Sequence, residues 1–236
     1  MKLVIVSGTP GSGKTSVILN ALERLLDQYN PAVVKVDCLR TDDHEVYRER
    51  LGIPATDALS KDMCPDHFAA YNLEHMVRWA EEHGADLLVV ETAGLCLRCA
   101  PYVDACLGVC VADVTLGPNS PSKVGPFLQT ADVVCVNKGD LVSQAEREVY
   151  VRKVAEVNPD CRVIETNGLT GAGCELLARL IEEEAPELPN TLDEVRLREK
   201  APLAVCTLCV GETRVAERYH RGVLRRIDGF TEYRGE

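Results

Sequence analysis

Gly8-Thr9-Pro10-Gly11-Ser12-Gly13-Lys14-Thr15 constrains this chain more than any other stretch. Its G-x-x-x-x-G-K-[ST] spacing is that of a phosphate-binding loop. The apolar run Leu3–Val6 precedes it and a helix-compatible stretch opens at Lys14, so strand, glycine loop and helix follow in the required order. Gly8, Gly11 and Gly13 let backbone N–H groups turn inward around phosphates, and the helix N-terminus adds partial positive charge. The spacing assigns Lys14 to the β- and γ-phosphates and the Thr15 hydroxyl to Mg²⁺. Ser12 and Ser16 complete the expected phosphate-binding set.

A second motif selects the base. Asp132–Val136 is an apolar run that reads as a buried parallel strand, and it ends in Asn137-Lys138-Gly139-Asp140. The Asp140 carboxylate can accept hydrogen bonds from the ring N–H and exocyclic amine of guanine, which adenine does not offer at that edge. A buried polar partner discriminates strongly, because the wrong base leaves it unpaired. The expected roles are Lys138 over the base and Asn137 tying this loop to the phosphate loop.

Strands alternate with helices along residues 1–185. Strands are expected at Lys2–Val6, Ala32–Val36, Asp86–Glu91, Gly108–Asp113, Asp132–Val136 and Arg162–Glu165. Helices are expected at Lys14–Tyr29, from Thr41 to about Leu51, from Pro65 to Gly84, near Gln144–Val157 and at Ala172–Glu184. The expected architecture is α/β, a mostly parallel sheet flanked by helices. Residues 186–203 read as a linker. Residues 204–236 read as a small cysteine-containing appendage, with a hairpin over Arg214–Asp228. The net charge of −11 argues against nucleic-acid partners, which want a basic face. No apolar run approaches the ~20 residues of a membrane span. With no signal-peptide pattern, the expected location is cytoplasmic.

Leu87–Gly94 has the shape of a Walker B strand and the loop after it. Glu91 can hold a water of the Mg²⁺ shell, and the Gly94 backbone can approach a γ-phosphate. Glu91 in this place, with Asp37 ending the second strand and Thr41 and Asp43 following, resembles the SIMIBI class of GTPases. The likeness is to its HypB/UreG members, which insert nickel into hydrogenase and urease. Gly94–Pro101 resembles the HypB loop in which a cysteine precedes proline, here with Ala100 between Cys99 and Pro101, and Glu165-Thr166-Asn167-Gly168 resembles the last base-contact loop. The resemblance spans roughly residues 1–185. It implies Asp37 and Glu91 on Mg²⁺ waters, Asp37 or Asp43 orienting the attacking water, and a GTP-dependent homodimer. It also implies a client metalloenzyme or its assembly factor as partner. With no arginine finger assigned, intrinsic hydrolysis is expected at ~10⁻⁴–10⁻² s⁻¹.

Eleven cysteines in a cytosolic chain read as metal ligands, redox groups or small core residues rather than disulfides. Cys64-Pro65-Asp66-His67 resembles the Cys-Pro-His metal motif of UreG proteins with one residue inserted. Thiolate and imidazole suit Ni²⁺, Zn²⁺ or Co²⁺. Cys96-x₂-Cys99 follows the switch loop and Cys206-x₂-Cys209 lies in the appendage. Two such pairs can enclose a tetrahedral zinc or an iron–sulfur cluster. Cys106 and Cys110 form a nearby C-x₃-C, readable as alternative ligands or as part of a buried strand. Cys110, Cys135, Cys161 and Cys174 read as core residues. The leading expectation is a GTPase that couples nucleotide state to metal delivery. The alternatives are a nucleotide-gated iron–sulfur electron-transfer or activator protein, and a regulatory GTPase with structural zinc.

Overall fold

Seven strands form one all-parallel sheet in the computed structural model, which describes residues 1–95, 99–199, 211–220 and 225–229. The strands are β1 (Lys2–Ser7), β2 (Pro31–Asp37), β3 (Ala55–Leu59), β4 (Leu87–Glu91), β5 (Leu107–Asp113), β6 (Val133–Asn137) and β7 (Arg162–Thr166). Their order is β3-β2-β4-β1-β5-β6-β7. Strands β1, β4, β5 and β6 are buried along almost their whole length, which explains their near-continuous apolar runs.

The helices are α1 (Lys14–Glu23), α2 (Asp43–Leu51), α3 (Pro65–Glu82), the short α4 (Pro121–Val124) and α5 (Pro126–Gln129), α6 (Gln144–Val157) and α7 (Cys174–Glu184). Strand alternation divides the core. Leu3, Ile5, Val34 and Val90 face α3, α5 and α6, together with Phe68, Phe127 and Tyr150. Val4, Val6, Val33 and Val89 face α1 and α7, together with Ile18, Leu22, Leu177 and the α2 residue Tyr47. All the βα loops open at the carboxyl edge of the sheet. This is where open parallel sheets place their ligands.

Three elements differ from the sequence reading. Helix α1 ends at Glu23 because the chain tightens into successive three-residue turns, such as Arg24 N–H to the Ala21 carbonyl and Leu25 N–H to the Leu22 carbonyl. Edge strand β3 carries only a weak apolar alternation and was not anticipated. Among the described residues no hairpin pairing forms over Arg214–Asp228, and the expected turn near Arg221-Gly222 lies outside them. Arg214 instead bridges to Arg196, and Glu217–Tyr219 is a 3₁₀ turn.

Residues 186–199 lie against the domain. Leu192 and Val195 are buried in the core, and the Met1 ammonium pairs with Glu187 at 2.6 Å. Residues 211–220 and 225–228 strap across α3. Glu74 pairs with Arg218, His75 with Glu217, Asp62 with Arg225, and Lys61 with Asp228. Among the described residues no helix is long and apolar enough to cross a membrane.

Candidate functional site: a phosphate loop beside a thiol cluster

Residues 8–15 wrap the start of α1. Gly8, Gly11 and Gly13 all have positive φ, a backbone region that glycine enters without penalty. The Lys14 ammonium donates to the carbonyls of Gly8 and Thr9 at 3.0 and 3.2 Å, folded back over the loop it serves. Burial pulls its pKa below the usual lysine value. Gly94 packs directly on this loop. A Cβ at position 94 would stand 1.8 Å from the Gly8 carbonyl oxygen and 3.1 Å from the Lys14 nitrogen. The loop after β4 is therefore held in register with the phosphate cradle by backbone contact.

A cleft of about 510 Å³ opens beside the cradle, lined by Gly13, Lys14, Lys35, Asp37, Asp43 and Glu91 among others. Glu91 is fully buried and fully engaged. Its Oε1 accepts from the Thr15 hydroxyl at 2.8 Å and from Lys35 at 2.6 Å, and its Oε2 accepts from the Tyr47 hydroxyl at 2.8 Å. Because Thr15 gives its proton to Glu91, the lone pairs on its oxygen stay available to a cation. This donor set fits Mg²⁺, which the Thr15 oxygen and the carboxylates of Glu91 and Asp37 would hold.

Asp43 pairs with Lys35 at 2.8 Å. Burial would raise the Asp43 pKa, but the Lys35 contact and hydrogen bonds from Thr15 and Thr41 leave it lowered. Burial likewise opposes the Lys35 ammonium, and the Glu91 charge with both carboxylate contacts leaves its pKa raised. Asp37 accepts its neighbour Cys38 N–H at 2.7 Å. Lys35 and Tyr47 were not singled out from sequence. A lysine inside Ala32-Val33-Val34-Lys35-Val36 was the available signal, since a cation in a buried strand needs a carboxylate partner.

The base loop is built by three tethers. Asn137 ends β6, donates to the Ser12 carbonyl at 2.8 Å and accepts the Gly168 N–H at 2.9 Å. Lys138 donates to the Gly11 carbonyl at 2.7 Å and pairs with Asp113 at 2.6 Å, so its ammonium bridges phosphate loop and β5. Asn167 donates to Asp140 at 2.9 Å, bringing the carboxylate to the loop after β7. Ser16 lines the cleft on the first turn of α1.

The thiols divide. Cys64 caps α3, and its sulfur, an Asp66 carboxylate oxygen and the Cys99 sulfur all lie within 4.8 Å of one another. Two soft thiolates and one carboxylate make a donor set that suits a divalent transition metal. His67 sits apart from this group, with its Nε2 at 2.6 Å from Nδ1 of His220. His220 Nε2 faces the Arg214 carbonyl, an acceptor only, so it carries the ring proton and Nδ1 accepts from His67. Burial, with His220 adding to it, pushes His67 down to about 4. Cys96, Cys206 and Cys209 fall outside the described residues. Cys110, Cys135 and Cys174 are buried and Cys161 partly so, and burial pushes Cys106 and Cys110 up to about 12. No disulfide forms among the described residues.

Sheet order, phosphate loop and strand-end carboxylates define a P-loop NTPase fold. Within that class the chain belongs to the CobW/HypB/UreG family, whose nucleotide-binding domain model matches residues 2–165. An uncharacterized protein of Methanocaldococcus jannaschii is 59% identical over 100% of both chains. Hydrogenase maturation factor HypB of Azotobacter vinelandii is 30% identical, over 82% of this chain and 64% of that protein. This chain thus spans just under two thirds of that relative's length. The crystal structure of Helicobacter pylori HypB in complex with nickel superposes with a TM-score of 0.64 at 20% identity, covering 81% of this chain and 92% of that one.

Proposed function

We propose that this protein binds and slowly hydrolyses GTP, and that nucleotide state sets its hold on a divalent transition metal destined for a client metalloenzyme. One observation carries the reading. The loop that leaves β4 touches the phosphate cradle at Gly94 and, five positions later, contributes Cys99 to the cluster with Cys64 and Asp66. The γ-phosphate is the ligand difference between GTP and GDP, so a loop that contacts it and carries a metal donor can transmit that difference.

Lys14 and the cradle amides neutralise charge on the phosphoryl oxygens as the terminal bond breaks. Asp140 takes the guanine edge, with Asn137 fixing its loop to the cradle. Thr15, Asp37 and Glu91 would hold Mg²⁺, which would supply charge neutralisation at the phosphates. Asp37 or Asp43 orients the attacking water. Nickel is the leading cargo, given the HypB kinship, with cobalt as the close alternative for the same soft donors. Exposed Leu39 and Leu95 flank the two switch segments and suit a GTP-dependent homodimer.

The test is a cobalt titration followed by thiolate-to-metal charge-transfer absorption, run with GDP and with a non-hydrolysable GTP analogue. A different affinity in the two states supports the reading, and equal affinities overturn it.

A further inference from the structure

Lys35 is a buried cation standing among the groups that line the cleft beside the phosphate loop. It pairs in register with Glu91 across parallel strands β2 and β4. Its side chain is 5% exposed, and its nitrogen lies 2.6 Å from Glu91 Oε1 and 2.8 Å from Asp43 Oδ2. The same Glu91 oxygen accepts the Thr15 hydroxyl. An ammonium donating to two carboxylates at these distances stands as a metal-bound water would. An isolated buried ammonium is costly, and so is an isolated buried carboxylate, so Lys35 and Glu91 offset the cost of each other's burial.

We infer that Lys35 is a resident cation of the nucleotide site. Before nucleotide arrives it neutralises the Glu91–Asp43 pair, holding Glu91 in place for the magnesium shell and Asp43 beside it. After nucleotide arrives it keeps positive charge beside the phosphates. Two consequences follow from charge counting. Two carboxylates with an internal ammonium attract a free divalent ion far less than the same pair without it, so the nucleotide-free site takes up little Mg²⁺. Nucleotide affinity also depends less steeply on Mg²⁺ than it would without Lys35. Lys35 acts through Glu91 and Asp43 and is a positioning residue. The inference rests on the guanine-nucleotide reading for its second consequence only.

The experiment compares the full chain with Lys35→Met and Lys35→Arg. Mn²⁺ binding to nucleotide-free protein is read by electron paramagnetic resonance. Affinity for a fluorescent non-hydrolysable GTP analogue is read with Mg²⁺ and with chelator. Lys35→Met should bind Mn²⁺ at least about tenfold more tightly than the native chain, and its nucleotide affinity should fall about tenfold further on Mg²⁺ removal, an energetic change of the size expected for one charge-assisted contact. Lys35→Arg, which keeps the charge, should behave as the native chain in both. Equal Mn²⁺ affinity in the native chain and Lys35→Met overturns the inference whether or not nucleotide binds. Absence of guanine-nucleotide binding in the native chain overturns the proposed function instead and leaves the Mn²⁺ comparison decisive. If Lys35→Met folds only with millimolar Mg²⁺, replacement of one cation by the other is demonstrated directly. If it folds in neither buffer, a divalent ion does not substitute for the ammonium and the inference fails.

Discussion

Asn137 stands against Gly13: its Nδ2 donates to the adjacent Ser12 carbonyl at 2.8 Å, and a Cβ on residue 13 would come within 2.4 Å of that nitrogen. The carboxyl end of β6 and the phosphate cradle are thus locked together at a point where no side chain fits. Gly13 also has φ of +90°, where an L-residue is strained. Gly13→Ala should therefore lower guanine-nucleotide affinity by about 100-fold or more, the equivalent of a few kcal/mol of steric and backbone cost. Calorimetry with GDP checks it, with far-UV circular dichroism to establish folding. Retained affinity in a folded variant would mean that the cradle and the base loop move independently.

Asp140 is the proposed base-reading group, and Asn167 Nδ2 donates to it at 2.9 Å. Asp140→Asn replaces an acceptor-only carboxylate by an amide that presents a donor to a donor. GTP affinity should fall by about 10–100-fold, as expected for loss of charged hydrogen bonds, and xanthosine triphosphate should gain relative to it. Competition binding with the two triphosphates measures the ratio. An unchanged ratio would place the base elsewhere.

The sequence made the sheet legible because its strands are buried on both faces. Leu3–Val6, Leu87–Val90 and Val133–Val136 need no alternation to be recognised. Strand β3 escaped notice because it lies at the sheet edge, where burial asks less of the sequence. The phosphate loop was legible because backbone geometry fixes its residue types at short spacing. Lys35 and Tyr47 were not, since each acquires its meaning from Glu91, 56 and 44 positions away. Likewise, local spacing paired Cys64 with His67, whereas the fold brings Asp66 and Cys99 to Cys64 and sets His67 against His220. Helical geometry explains part of this. Residues one position apart on α3 point in different directions, so Asp66 and His67 do not share a target.

Thiol chemistry should separate the cysteines into two groups. Burial holds Cys106 and Cys110 near a pKa of about 12 and Cys135 well above its usual value. At pH 8 the thiolate fraction of Cys106 and Cys110 is on the order of 10⁻⁴, and the thiolate is the nucleophile. Brief alkylation of native protein followed by peptide mass mapping should label Cys64 and Cys99, which are partly exposed, and spare Cys106, Cys110 and Cys135 until denaturant is added. Nickel or cobalt should protect Cys64 and Cys99 together. Protection of one without the other would separate them as ligands.

Arg198 fastens the chain after α7 back to the sheet. Its guanidinium donates to the carbonyls of Val103, Thr130 and Cys106 at 3.0, 2.8 and 2.7 Å and to the Asp132 carboxylate at 2.8 Å. That Asp132 oxygen also accepts the Gly108 N–H at 2.7 Å, so one arginine joins the starts of β5 and β6 to the loop after Tyr102. Arg198→Met keeps most of the apolar stem but removes every one of these donors, leaving partly buried carbonyls and Asp132 short of partners. The expected cost is about 2–3 kcal/mol in urea unfolding, as for several part-buried charge-assisted hydrogen bonds lost together. Arg198→Lys should recover little of it, because one ammonium cannot span four acceptors laid out for a planar fork. Nucleotide affinity should be unchanged in both variants, since every acceptor lies at the opposite end of β5 and β6 from the phosphate cradle. An unfolding midpoint equal to the native one would mean that the segment 187–199 rests on the sheet without stabilising it.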